Sequence, residues 1–137
     1  LGPESLARPL DAATLKPTGT MTGPERLVVL DDSVCLADLL HHQAEALLAQ
    51  SCGKCTPCRE GLHLISQAFD RLRRGTGRTE DLQLIEDISA SMEEGSFCQF
   101  GVHAQSPFRS ALALFRPQLE KHLGCRCRPG SCPECGK

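Results

Sequence analysis

Three cysteines stand two residues apart, Cys52, Cys55 and Cys58, in the run Ser51-Cys52-Gly53-Lys54-Cys55-Thr56-Pro57-Cys58-Arg59-Glu60-Gly61. Each two-residue step turns the chain back toward the same point, so three thiols at this spacing can converge on a compact inorganic core. A cubane needs four thiolates, which calls for a fourth cysteine from elsewhere. Cys98 meets that need, within Gly95-Ser96-Phe97-Cys98-Gln99-Phe100-Gly101, where flanking glycines let the backbone approach a cofactor closely. The four read as ligands of one [4Fe–4S] cluster, making the chain an electron carrier or part of one. Zinc is the alternative, since it also takes four thiolates, but it favours paired C-x-x-C knuckles over three cysteines in a row.

Four further cysteines, Cys125, Cys127, Cys132 and Cys135, lie in the last thirteen residues. Cys132-Pro133-Glu134-Cys135-Gly136 has the form of a zinc knuckle, in which Pro and Gly let amide groups point back at two sulfurs. Cys125 and Cys127 supply two more thiolates at a less usual one-residue spacing. A tetrahedral four-thiolate zinc site is the expectation for this tail, with a second iron–sulfur cluster or a reduced, metal-free tail as alternatives. The ninth cysteine, Cys35, has no partner at ligand spacing and reads as a small buried hydrophobe. An odd count, two-residue spacings and the absence of a basic-then-apolar start all argue against a secreted disulfide scaffold and for a cytoplasmic protein.

A chain of 137 residues with 40% apolar content suggests one small domain with extensions, whose marginal core metal ligation would reinforce. A net charge of −2 makes no electrostatic case for nucleic acid or an anionic membrane, and Trp and Tyr are absent. No apolar run approaches the roughly 20 residues of a membrane span, so no direct membrane insertion is expected. A start at Leu1 rather than Met reads as processing, a fragment, or one half of a split subunit.

Residues 1–32 form a loop-rich lead-in, with Pro3, Pro9, Pro17, Pro24, Gly2, Gly19 and Gly23 as breakers. Leu27-Val28-Val29-Leu30 reads as one short strand, ended by Asp31-Asp32-Ser33. Helical periodicity then takes over across residues 33–123. Leu36, Leu39, Leu40, Ala44, Leu47 and Leu48 make one stripe over residues 33–49, with Asp32 or Ser33 placed as its cap. Thr56 as cap and Pro57 at the first helical position open a second helix, carrying Leu62, Ile65, Phe69 and Leu72 to Arg74-Gly75. Thr79, Glu80 and Asp81 open a third, with Leu82, Leu84, Ile85, Ile88 and Met92. Ser106-Pro107 open a fourth, with Phe108, Ala111, Leu112, Phe115 and Leu119 inward. The fold class is therefore mostly α, a small four-helix bundle carrying the cluster, followed by a Cys-rich tail over residues 124–137.

Cys58 falls in the first turn of the second helix, where unpaired N–H groups and the positive dipole end favour thiolate. Backbone amides aimed at a cluster stabilise its reduced form and raise its potential. Lys54 and Arg59 push the same way, unless they are ordinary solvated surface. His41 and His42 have no partner at metal spacing and read as surface or core histidines. His103, close to Cys98, is a candidate for tuning with pH.

The eleven-residue motif from Ser51 to Gly61 resembles the cluster motif of the NADH-binding flavoprotein subunit of respiratory NADH:quinone oxidoreductase and of related diaphorase subunits of NAD-linked hydrogenases and formate dehydrogenases. The likeness continues through Phe97-Cys98, Gly101, Pro107 and Phe115-Arg116-Pro117. Upstream it takes in Gly19, Gly23, the run Leu27 to Asp32, and Cys35, so that it covers about Leu10 to Leu123. Gln50 where the family usually has Glu, Gln99, and His103 where it commonly has an acid depart from the pattern. They touch fine tuning, not ligation. The resemblance implies that residues 1–32 are the remnant of a preceding β domain.

It also implies an electron-transfer module that relays single electrons through one [4Fe–4S] cluster. The implied partners are an FMN/NADH-binding subunit and a thioredoxin-like [2Fe–2S] subunit of a hetero-oligomer. No G-x-G-x-x-G or comparable glycine-rich loop occurs in the chain, so FMN and NADH are expected on a partner and no catalysis from this chain alone. The alternative is a non-catalytic assembly or metal-sensing module whose cluster and zinc hold a docking surface.

Overall fold

The computed structural model describes residues 33–124, together with residues 7, 9, 30 and 31. Two units divide the chain, Leu1–Leu30 and Asp31–Lys137, and only the second is described to any extent. The expected strand lies, apart from Leu30, outside the described residues, as do the four tail cysteines. Among the described residues every regular element is helical: α1 (Leu36–Gln50), α2 (Thr56–Arg73), α3 (Thr79–Gly95), α4 (Gln99–Ala104), α5 (Ser106–Glu120) and a closing 3₁₀ turn (Lys121–Gly124).

The four long helices match the expected four, and the short α4 is an addition that periodicity over six residues is too brief to reveal. Helix α1 begins three residues later than expected. Ser33 does not cap it: its hydroxyl and its N–H both donate to Asp31 Oδ1, closing a turn before the helix, and Cys35 takes the cap position. The cap of α2 is Cys55 rather than Thr56, which places Cys58 at the third helical position. Gly75, at φ 72°, takes the left-handed conformation that stops α2. At α3 the Arg78 N–H donates to Asp81 Oδ2 at 2.8 Å, and the same carboxylate accepts from Arg71 Nε at 2.9 Å, joining the start of α3 to the end of α2.

Helix α2 is the spine. Leu62, Ile65, Ala68, Phe69 and Leu72 are fully buried, against Leu40 and Ala44 of α1, Leu82, Ile85 and Met92 of α3, and Phe108, Leu112 and Leu119 of α5. Phe69 and Phe108 stack at a centroid distance of 5.7 Å. Each large side chain in this set contributes about 1.5–3 kcal/mol of burial. Gly61 is required for this packing, since a Cβ there would meet Met92 Sδ at 2.7 Å.

One inward assignment is corrected. Phe115 is 39% exposed and has non-helical angles (φ −129°, ψ 19°). Pro117 lacks an N–H and its ring crowds the carbonyl four residues back, so α5 kinks and turns Phe115 outward. Beside the kink, Arg116 pairs with Glu86 of α3.

Candidate functional site

The site sits where the loop after α1, the first turn of α2 and the segment between α3 and α4 meet. Cys55 and Cys98 are the residues immediately preceding α2 and α4, and Cys58 lies in the first turn of α2. Cys55 and Cys58 are buried, whereas Cys52 and Cys98 are exposed. The loop between Cys52 and Cys55 turns on Gly53 at φ 72°, a conformation other residues adopt at a cost. Arg59 braces that loop: its Nη1 donates to the Gly53 carbonyl at 2.8 Å, and its Nε pairs with Glu60 at 2.7 Å.

Electrostatics tie the four thiols together. Burial pushes the Cys58 thiol above its ordinary range, the Ser51 hydroxyl opposes this, and the charges of Cys55, Cys98 and Cys52 push further upward. Cys58 thus lies within the field of the other three cysteines of the set. Cys55 moves the opposite way. The main-chain N–H of Phe97 is the chief cause of its lowered value; burial resists it, while the Cys58 N–H and the Ser96 hydroxyl add to the lowering. Among the described residues, no three His, Cys, Asp or Glu side chains are arranged to hold a single metal ion.

A Cβ on Gly101 would fall 2.6 Å from Ser96 Cβ and Oγ and 3.3 Å from Cys58 Cβ, so the missing side chain lets α4 pack closely on Ser96 and Cys58. The Ser96 Oγ is buried and makes no hydrogen bond of good geometry among the described residues, although it stands near enough to Cys55 to favour its thiolate. Ser51 Oγ lies 3.4 Å from Cys58 Sγ and accepts from the Gly53 N–H at 3.3 Å. Phe97, beside Cys98, is 87% exposed.

The cysteine pattern does not point to either serine or to the Phe97 amide. The signal there to find was adjacency: Ser51 directly precedes Cys52, and Ser96 lies two residues before Cys98. The other sequence candidates separate. Lys54 is exposed. His41 is buried with Nδ1 3.2 Å from the Ser66 carbonyl, a satisfied core histidine, while His42 is exposed. His103 points at Gln99 Oε1, at 2.8 Å. Cys35 is 3% exposed, as expected of a buried hydrophobe, yet its sulfur also faces His122.

Comparison with known proteins adds to this geometry. The sequence model of the NADH-ubiquinone oxidoreductase-F iron–sulfur binding region matches residues 38–122. The chain belongs to that family. The F subunit of NADH-quinone oxidoreductase in Mycobacterium tuberculosis is 36% identical over 130 residues, which is 95% of this chain and 28% of that protein. Its Streptomyces coelicolor counterpart is 36% identical over 129 residues, 92% of this chain and 29% of its own length. The mitochondrial 51 kDa subunit of NADH-ubiquinone oxidoreductase in Neurospora crassa is 28% identical over 114 residues, 83% of this chain and 23% of its own. Among solved structures, an NAD⁺-reducing [NiFe]-hydrogenase in the H₂-reduced state has a chain that superposes with a TM-score of 0.65 at 37% identity, covering 69% of this chain and 17% of that one. The chain thus spans under a third of the length of the relatives it matches. Family membership brings an iron–sulfur binding region with it. No helix among the described residues is long and apolar enough to cross a membrane.

Proposed function

We propose that this chain is the electron-transfer module of an NADH-dehydrogenase-like complex, with Cys52, Cys55, Cys58 and Cys98 holding one [4Fe–4S] cluster. The observation that carries this reading is the close approach of Cys58, in the first turn of α2, to Ser51 of the Cys52 loop and to Gly101 of the helix that Cys98 precedes. Bound there, the cluster would take and pass on single electrons between a flavin- and NADH-binding part and a thioredoxin-like [2Fe–2S] subunit. The chain's own residues hold the position. Gly53 and Arg59 shape the loop, Gly101 lets α4 pack closely on Cys58, and the Phe97 N–H with the helical N–H groups near Cys55 stabilises negative charge on sulfur. Exposure of Cys52, Cys98 and Phe97 leaves one side open to a partner within a hetero-oligomer.

In the tail, the spacing of Cys125, Cys127, Cys132 and Cys135 supports a structural zinc site, with a second iron–sulfur cluster as the alternative. The flavin and NADH sites belong, on this reading, to sequence or subunits other than these 137 residues. Iron, sulfide and zinc analysis of anaerobically prepared protein tests the proposal, with low-temperature EPR before and after dithionite. About four irons, four sulfides and one zinc per chain with a reduction-induced signal is the expected result. About eight irons would turn the tail into a second cluster. Zinc alone would end the electron-transfer reading and leave a docking module.

A further inference from the structure

We infer that the hydroxyls of Ser51 and Ser96 donate hydrogen bonds to the sulfurs of the cluster site and set its reduction potential. The inference rests on the cluster reading above and concerns what the chain does to the bound group.

Ser51 has its direction forced. Its oxygen already accepts from the Gly53 N–H at 3.3 Å, and it lies 3.4 Å from Cys58 Sγ. A ligating Cys58 is a thiolate with no proton to give, so the serine is the donor and the sulfur the acceptor. Replacing Ser51 removes a donor that the fold has placed within a part-buried contact.

Ser96 supplies the independent observation. Its Oγ is buried and lacks a directed partner among the described residues, which leaves a hydroxyl proton without an acceptor. A buried donor left in that state carries its full desolvation penalty. It packs on Gly101, whose Cβ, if present, would meet Ser96 Oγ at 2.6 Å and Cys58 Cβ at 3.3 Å, so the hydroxyl lies on the Cys58 side of the site. An acceptor with negative charge on sulfur, held by Cys58 beside it, satisfies it.

Hydrogen bonds to cluster sulfurs strengthen as the cluster gains an electron, because the sulfurs then carry more negative charge. Donors therefore favour the reduced state and raise the potential. Hydrogen bonds to charged acceptors are the stronger kind, and one whose strength is mostly specific to the reduced state is large enough to matter. Removing it is expected to lower the reduced-to-oxidised ratio at fixed potential about tenfold, equivalent to about 59 mV for one electron.

The test is an EPR-monitored redox titration of wild type, Ser51→Ala, Ser96→Ala and Ser51→Thr, each with its iron and sulfide content. Both alanine variants are expected to keep about four irons while the midpoint falls by an amount of that order. Ser51→Thr, which keeps the hydroxyl, is expected to restore it. Unmoved midpoints with iron retained overturn the inference and leave the cluster reading standing. A wild type without about four irons and sulfides overturns both. Should the alanine variants fail to load, proton ENDOR of the reduced wild type decides the matter. Strongly coupled protons that exchange immediately on mixing with D₂O, faster than buried amides, are expected, and their absence overturns the inference.

Discussion

Cys35 Sγ lies 3.2 Å from Nε2 of His122, joining the residue that precedes α1 to the 3₁₀ turn that follows α5. The tautomer follows from the other side of the ring. His122 Nδ1 is 3.1 Å from the Gln118 carbonyl, which only accepts, so Nδ1 carries the proton and Nε2 accepts from the Cys35 thiol. Both residues are almost fully buried.

His122→Ala is expected to destabilise the helical domain by about 2 kcal/mol, from lost packing and a buried thiol without its acceptor. Cys35→Ala should cost about 1 kcal/mol or more by stranding Nε2. Urea unfolding of both variants and the double variant checks this, and strict additivity would mean that the contact carries no coupling energy.

Cys98→Ser is expected to lose or degrade the four-iron cluster while zinc stays in the tail. Metal analysis of the purified variant decides it. If iron and zinc vanish together, the partition of the nine cysteines into two sites is wrong.

Gly101→Ala puts a Cβ 2.6 Å from the short, inflexible Ser96 side chain. The expected outcome is iron content well below that of wild type with helical circular dichroism largely retained. Gly53→Ala strains the ligand loop instead, at about 1–2 kcal/mol for a left-handed residue, and should lower cluster retention to a lesser degree.

Acid should weaken the domain through Asp70 and Asp81. Burial alone would raise both carboxyls, but Arg74 and Arg73 at Asp70, and Arg71 with the Arg78 N–H at Asp81, hold them below the ordinary value of 3.8. A carboxyl depressed in the folded state stabilises it fully above its unfolded value, and that contribution is lost as pH falls through the folded one. Melting temperature should therefore hold at neutral pH and decline below about pH 4. Asp81→Asn should flatten that decline and cost about 1–2 kcal/mol at neutral pH.

Much of the helical domain was legible in the chain because its information is local. Leu62, Ile65, Phe69 and Leu72 recur at helical spacing, and all four are fully buried. Gly75 ended α2 where a left-handed residue was needed. Pro117 was equally visible, but its consequence for Phe115 was not, since a stripe of apolar residues says nothing about a kink beneath it. The cap of α1 fell elsewhere than expected because Ser33 had a competing partner in Asp31.

The cysteine spacing picked out the ligand candidates and favoured an iron–sulfur group over zinc, since a two-residue repeat constrains sulfur positions through backbone geometry alone. Only the folded chain put Phe97, Ser96 and Gly101 against Cys55 and Cys58, or His122 against Cys35. Those pairings arise where α4 and the segment before it meet the start of α2, and where the closing 3₁₀ turn meets the residue before α1, and no local rule relates residues so far apart along the chain. The cluster's ligand candidates were therefore written in the spacing, and the polar surroundings that tune them came from tertiary packing.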